Sequence, residues 1–321
     1  MPCDQRKIFV VVPTIRADSF DKFFINWLTL FLKHRVTLVV VQDGPDPHID
    51  VFEFKNAIVG TTDEFKRKRV AMGARAVLGM ENVDMFYNFS DSIRNAGFAY
   101  AIMNGASVVI SLDDDVAPVG DTIQDHINAL DNSYPISWMN TANEHYMRGF
   151  PYSVRHEAEC VLSHGGWTSV ADFDGQTQLK LESESETNTI PAVTIRRMPV
   201  PKGVLFPFCA MNFAFKRKFA PWVYQAPAID DIQRFSDIWS GICMKSMIDE
   251  MGWCAVTGYA MVDHQRASDA LTNMKKEAHG IVLNETFWEN PDALRNHPYF
   301  VEYVNRRERW ADIINDIIDR D

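Results

Sequence analysis

The segment Ser107 to Pro118 runs through β-branched, apolar residues and ends in three successive carboxylates, Asp113, Asp114 and Asp115. Such a run reads as a buried strand with a charged tip. Adjacent carboxylates repel one another, so the tip requires a cation or a set of hydrogen-bond donors. In an extended segment alternate side chains share a side, so Asp113 and Asp115 are expected to face one ion while Asp114 points elsewhere. Hard oxygen ligands of this kind suit Mg²⁺ or Mn²⁺, above all where substrate phosphates complete the shell. A solvated acidic turn is the plainer alternative. His264 follows a second apolar strand, Trp253–Val262, and is a candidate third ligand through a neutral ring nitrogen, with a structural histidine as the alternative.

These residues need elements to position them. Lys7–Pro13 reads as a strand stopping at Thr14 and Arg16, and Phe20–Leu32 as an amphipathic helix. Val36–Gln42 reads as a second strand stopping at Asp43 and Gly44, and Ser92–Asn104 as the helix before the triple-aspartate strand. Strand, helix, strand, helix, strand implies an α/β sheet with parallel strands in its first half. Ligands sit at the carboxyl ends of such strands, and three polar clusters occupy those ends here. Beyond about residue 140 the alternation is lost. Glu182–Thr189 reads as an exposed loop and Phe235–Met251 as a helix. In the last segment Phe300, Tyr303, Arg307, Trp310, Ile314 and Ile317 recur at helical spacing. That helix is expected to pack on the body, with a contact to another subunit as its second use.

Composition narrows the class. The 321 residues are 46% hydrophobic and carry a net charge of −11, which argues against a general nucleic-acid binder. A nucleotide ligand stays open, because local basic residues and a metal bind a diphosphate inside an acidic protein. Five cysteines (Cys3, Cys160, Cys209, Cys243, Cys254) show no CxxC spacing and read as reduced structural thiols. No signal peptide and no apolar run near the roughly 20 residues of a membrane span are visible. The expectation is a cytoplasmic protein.

A GT-A nucleotide-sugar glycosyltransferase needs a strand end for the nucleoside, an acidic pair on a metal and a later residue, often histidine, to finish the shell. Candidates for each part occur in that order. Asp91 to Gly97 precedes the metal strand, and Arg94 with Gly97 would let the backbone approach the nucleotide. A surface ion pair is the alternative for Arg94. Several blocks then resemble one family. They include Val12-Pro13-Thr14-Ile15-Arg16, Val41-Gln42-Asp43-Gly44, Asp113–Asp115, Arg148-Gly149-Phe150-Pro151-Tyr152-Ser153-Val154-Arg155 and Ser163-His164-Gly165-Gly166-Trp167. Pro201–Pro207, Met211–Phe215, Arg234–Gly241, His264–Ser268 and Asn273–Glu277 continue the match in order. These resemble the reversibly glycosylated polypeptides, or UDP-arabinopyranose mutases, known chiefly from plants.

The resemblance implies a GT-A-like fold, a mixed sheet with helices on both faces. Residues 1–281 would form the catalytic domain and 282–321 a helical appendage. It also implies a UDP-sugar substrate, a divalent metal, no flavin and homo-oligomers. Members interconvert UDP-L-arabinopyranose and UDP-L-arabinofuranose, and many glycosylate themselves reversibly on an arginine. That acceptor falls on Arg148, and the second arginine of the motif, needed for activity, on Arg155. A guanidinium is always protonated, so the chemistry of Arg155 favours binding or positioning a phosphate. Two surface arginines flanking a turn remain the bland reading of the pair. Thr14, Arg16, Asp43, Asp91, Arg94, Asp114, His164 and Trp167 are the expected nucleotide-sugar contacts, a packed Trp with a satisfied His being the alternative for the last two. Where the family has two adjacent aspartates, this chain has Ser236 then Asp237. Asp237 is the surviving candidate for catalytic base or sugar-hydroxyl contact, or else a first-turn helix charge. A metal-dependent glycosyltransferase or self-glycosyltransferase using UDP-glucose or another nucleotide sugar, and a non-catalytic nucleotide-sugar-binding subunit of an oligomer, are the competing readings.

Overall fold

A computed structural model of the chain describes residues 6–15, 17–42, 50–56, 65–71, 75–87, 89–138, 145–169, 172–185, 195–228, 234–264, 269–289 and 296–320. Strand β1 (Ile8–Thr14) leads through helix α1 (Ala17–Lys33) to β2 (Thr37–Gln42), followed by β3 (Asp50–Asn56) and β4 (Phe65–Ala71). A short α2 (Arg75–Leu78) and α3 (Arg94–Met103) precede β5 (Val108–Leu112), β6 (Val116–Pro118), α4 (Thr122–Asp131) and β7 (Ser133–Pro135). The second half holds β8 (Glu157–Trp167), α5 (Gly175–Glu184), β9 (Met198–Pro199) and β10 (Asn212–Lys216). It closes with α6 (Ser236–Glu250), β11 (Cys254–His264), α7 (Ala270–Glu289) and α8 (Pro298–Asp319).

One mixed sheet runs in the order β4-β3-β2-β1-β5-β10-β8-β11-β6, with β7 on β8 and β9 on β11. β1 pairs in parallel with β2 and β5, and β8 with β11, while β10 is antiparallel to both β5 and β8. Consequently β1, β2, β5, β8 and β11 all point their carboxyl ends the same way. The hairpin β3–β4 was not legible as strand. Its sequences, DVFEFKN and FKRKRVA, are too charged to read as core, but they suit the edge of a sheet.

The period-two alternation of the strands feeds two cores. Ile8, Val10, Val12, Leu38 and Val40 pack on one face with Phe23, Trp27 and Phe31 of α1 and Ile127 of α4. Phe9, Val11, Val39 and Val109 pack on the other with Phe98, Trp239 and Trp310. Helices therefore cover both faces. The C-terminal helix is part of the second core. Tyr303, Trp310 and Ile314 are buried, and Trp310 Nε1 donates to the Ala220 carbonyl at 3.0 Å. The expected boundary at 281/282 falls inside α7, and Phe287 beyond it lies in the same core as Trp239. Glu182 to Glu184, expected in a loop, form the last turn of α5. Among the described residues no helix is long and apolar enough to cross a membrane.

Gly97 packs inside the fold. It lies on the buried face of α3, where a Cβ would overlap the side chains of Val11 and Val41. The glycine lets α3 approach β1 and β2 closely, which sets the position of Arg94 one turn earlier. Gly97→Ala should cost about 1–2 kcal/mol net of its gain in helix propensity, read from the urea unfolding midpoint.

Candidate active site

A cavity of about 810 Å³ opens where the parallel strands end. Thr14 from the end of β1, the turn Asp113 to Asp115 after β5, and His264 at the end of β11 all line it. Because β10 runs antiparallel, its start lies beside the end of β5, which adds Cys209 and Met211 to the wall. Asp91, Arg94, Asp172, Arg234, Asp237 and Lys276 complete the charged lining.

The three aspartates do not alternate as an extended strand would. β5 stops at Leu112 and β6 begins at Val116, so Asp114 and Asp115 lie in a turn and all three carboxylates reach the cavity. Asp114 is buried and accepts from Thr14 Oγ1 at 2.8 Å, tying the tips of β1 and β5 together. Asp113 is paired with Arg94 Nη2, which also reaches Asp91 Oδ1 at 3.3 Å. Arg94 is no surface ion pair. It is 3% exposed, and burial alone would disfavour its charge. The charges of Asp113 and Asp91 outweigh that burial and raise its pKa above the usual arginine value.

Asp115 Oδ2 lies 3.9 Å from His264 Nε2, because His264 sits opposite Val116 in the β11–β6 ladder. Two carboxylates and an imidazole are a donor set that fits a hard divalent cation. Asp115 and His264 are the pair positioned to share one, while Asp113 spends Oδ1 on Arg94 and has its second oxygen left to join them. Among the described residues no three His, Cys, Asp or Glu side chains are already spaced around a single ion.

Two further carboxylates line the cavity. Burial pushes Asp237 well above the ordinary carboxylate range, and the charges of Asp91 and Asp172 push the same way against the pull of Arg94. Burial also raises Asp172, opposed by Arg234 and His264. Asp237 therefore holds its proton to higher pH than an ordinary carboxylate. Ser236, the residue before it, is buried, lines no part of the cavity, and its Oγ makes no hydrogen bond among the described residues.

The reversibly glycosylated polypeptide family model matches residues 3–295. The chain belongs to the reversibly glycosylated polypeptide family. It is 32% identical over 305 residues to UDP-arabinopyranose mutase 3 of Arabidopsis thaliana, covering 90% of this chain and 77% of that protein. UDP-arabinopyranose mutase 1 of Oryza sativa subsp. japonica is 31% identical over 306 residues, with 90% and 76% covered. UDP-arabinopyranose mutase 1 of Arabidopsis thaliana is 30% identical over 307 residues, with 90% and 78% covered.

The remaining family blocks fall in three places. Arg16 and Asp43 lie outside the described residues. His164 and Trp167 stand behind the cavity wall. His164 is buried between Thr257 Oγ1 at 2.9 Å and Cys209 Sγ at 3.4 Å, and Trp167 Nε1 donates to Met211 Sδ at 2.9 Å. They support Cys209 and Met211, which do face the cavity. Arg148 and Arg155 do not line the cavity. Arg148 is exposed on a turn made by Gly149 at φ 97°. Arg155 donates to the Phe150 carbonyl through Nε and Nη2, at 3.2 and 2.7 Å, and stacks 3.9 Å from the centre of the Tyr152 ring.

Sequence reasoning assigned no role to Arg234, Lys276 or Asp172. The first two stand inside blocks that match the family, Arg234–Gly241 and Asn273–Glu277, which was a usable signal. Asp172 follows β8 in no recognisable pattern.

The buried histidines carry a pH signature. Burial lowers His164 to about 3, helped by the neighbouring His126, and burial lowers His126 to about 4 despite its bonds to Asn212 and Ser163. Both pKa values fall on folding, so below about 6.5 the unfolded chain takes up protons that the native state refuses. Stability then drops as pH falls towards 4, by up to about 1.4 kcal/mol per pH unit for each histidine. The raised carboxylates slope the other way. The effect is therefore read as a difference: urea unfolding of wild type from pH 7 to 5 should lose more stability than that of His126→Gln.

Proposed function

We propose that this chain is a UDP-arabinopyranose mutase on a GT-A-like scaffold, binding its UDP-sugar in the acidic cavity. The carrying observation is that one cavity gathers the acidic tip of β5, the histidine ending β11 and the cations Arg94, Arg234 and Lys276. Its volume suits a nucleotide sugar. Relatives that carry the mutase name match over 90% of the chain, so the substrate class follows from them and the site chemistry agrees.

A divalent cation, Mg²⁺ or Mn²⁺, would be held by Asp115 and His264, with Asp113 as a further ligand, and would act as a Lewis acid on the diphosphate leaving group. Arg234 and Lys276 bind the same phosphates as fixed cations. The anomeric bond breaks with its electron pair passing to a diphosphate oxygen. The sugar then opens and recloses through the oxygen on C4 in place of that on C5, and the same diphosphate oxygen reattacks the anomeric carbon. Atoms balance, and one proton moves from the 4-hydroxyl to the 5-oxygen. Asp237, whose surroundings favour its protonated form, is the acid suited to deliver a proton to the 5-oxygen, and Asp172 or Asp91, within its field, would take up the one leaving the 4-hydroxyl. Ser236 replaces a family carboxylate off the cavity, so the acid facing the substrate is the one retained. Self-glycosylation, by resemblance on Arg148, would place a sugar on an exposed turn outside the cavity.

The test is to incubate the pure protein with UDP-L-arabinopyranose and Mn²⁺ and separate the nucleotide sugars. UDP-L-arabinofuranose is the expected product. Labelled protein with free UDP and no furanose would instead make the chain a self-glycosyltransferase, and no turnover would leave a binding subunit. Asp115→Asn and His264→Gln should each lower kcat/KM for the interconversion about 100-fold.

A further inference from the structure

Among the described residues three side-chain-bearing residues adopt the left-handed backbone: Arg35 at φ 51°, Phe89 at φ 57° and Arg234 at φ 62°. A Cβ is strained there, and such strain persists only where the surroundings impose it. Arg35 has a structural cause. It follows the end of α1, where Val36 N donates to the Phe31 carbonyl at 3.0 Å and Arg35 N to Leu32 at 3.3 Å, the pattern of a left-handed helix stop. Phe89 and Arg234 terminate no helix among the described residues, and both line the cavity.

Their positions correspond. Phe89 precedes Ser90, whose Oγ accepts from Ser92 N and Ala228 N and caps the turn carrying Asp91. Arg234 precedes Phe235, the residue before the helix carrying Asp237. Each left-handed residue thus stands just before a helical turn that brings a carboxylate to the cavity. Phe89 is 65% exposed, so core packing does not account for its strain. Arg234 is braced instead. Its Nε donates to Glu277 Oε1 at 3.0 Å, and Glu277 is itself buried and anchored by Gly175 N at 2.7 Å. No hydrogen bond occupies Nη1 or Nη2 among the described residues, which leaves the end-on fork that matches a phosphate.

We propose that Phe89 and Arg234 are the two jaws of a nucleotide clamp: the phenyl ring stacks on the uracil and the guanidinium fork takes the diphosphate. The inference rests on the UDP-sugar reading of the cavity and adds specificity residues to it. Backbone strain is retained at both positions because it turns these side chains onto the ligand.

Calorimetric titration of the full chain with UDP, and separately with inorganic pyrophosphate, both with Mg²⁺, tests it. Phe89→Gly should weaken UDP about tenfold and leave pyrophosphate within twofold. Arg234→Lys keeps the charge but loses the fork, and should weaken both ligands about tenfold. Arg35→Gly, remote from the cavity, should change neither. Glycine accepts the left-handed backbone, so Phe89→Gly should not lower the melting temperature. Wild-type affinity for UDP in Phe89→Gly and Arg234→Lys overturns the clamp. A loss at Phe89 shared by pyrophosphate, or accompanied by a fall in melting temperature, overturns it as well. A wild-type protein that fails to bind UDP overturns the UDP-sugar reading itself, which separates the two failures.

Discussion

A guanidinium removed from water has to be met by opposite charge, and in this protein that requirement fixes the cavity. Arg94 takes Asp113 on one side and Asp91 on the other, with the Ser111 hydroxyl and the Leu112 carbonyl completing its contacts. Removing one partner of such a buried pair typically costs about 3–5 kcal/mol, because the other charge is left stranded. The pair binds the start of α3 to the tip of β5. It also engages one oxygen of Asp113, the first carboxylate of the acidic tip. What remains, Asp115 beside His264, with Asp172 and Asp237 in the same lining, is an excess of acidic groups. Arg234 and Lys276 only partly offset them. This balance of charge agrees with the proposed UDP-sugar, whose phosphates would bring a divalent cation to the acids and meet Arg234 and Lys276.

Sheet direction turns scattered residues into one site. Five strands share a direction, so β1, β5, β8 and β11 release their chain at the same edge. The single reversed strand between them, β10, begins at that edge and contributes Cys209 and Met211. Aromatic cores on both faces hold this arrangement. Phe23, Trp27 and Phe31 stack along α1 on one side, and Trp239 meets Tyr299 and Phe300 on the other. α8 is thus a structural wall of the catalytic body.

The family resemblance is broader than the cavity. His164 and Trp167 belong to matching blocks yet act through Cys209 and Met211, and Arg155 is spent on the Phe150 carbonyl and the Tyr152 ring. Conversely, Phe89 and Asp172 shape the cavity without belonging to any block that was recognised. The departure at Ser236 touches the packing beneath α6 and leaves the cavity-facing acid, Asp237, in place.

Strands β1, β2, β5 and β11, helices α1, α3, α6 and α8, and the placing of Thr14, Asp113 to Asp115 and His264 at strand ends were all legible in the sequence. Each is announced by a local pattern, whether alternation, helical spacing or an abrupt change from apolar to charged. The β3–β4 hairpin was hidden because charged edge strands lack that contrast. Spatial partners were hidden for a different reason. That Arg94 claims Asp113, that Gly97 seats α3 on Val11 and Val41, and that Arg234 faces the cavity from 120 residues beyond Asp114 depend on strand order and register. Those follow from long-range packing, which a one-dimensional pattern of residue types does not encode. Sequence alone therefore determined that an acidic tip and a histidine stand at strand ends and roughly where each element ends, whereas only the folded sheet decided which charges meet.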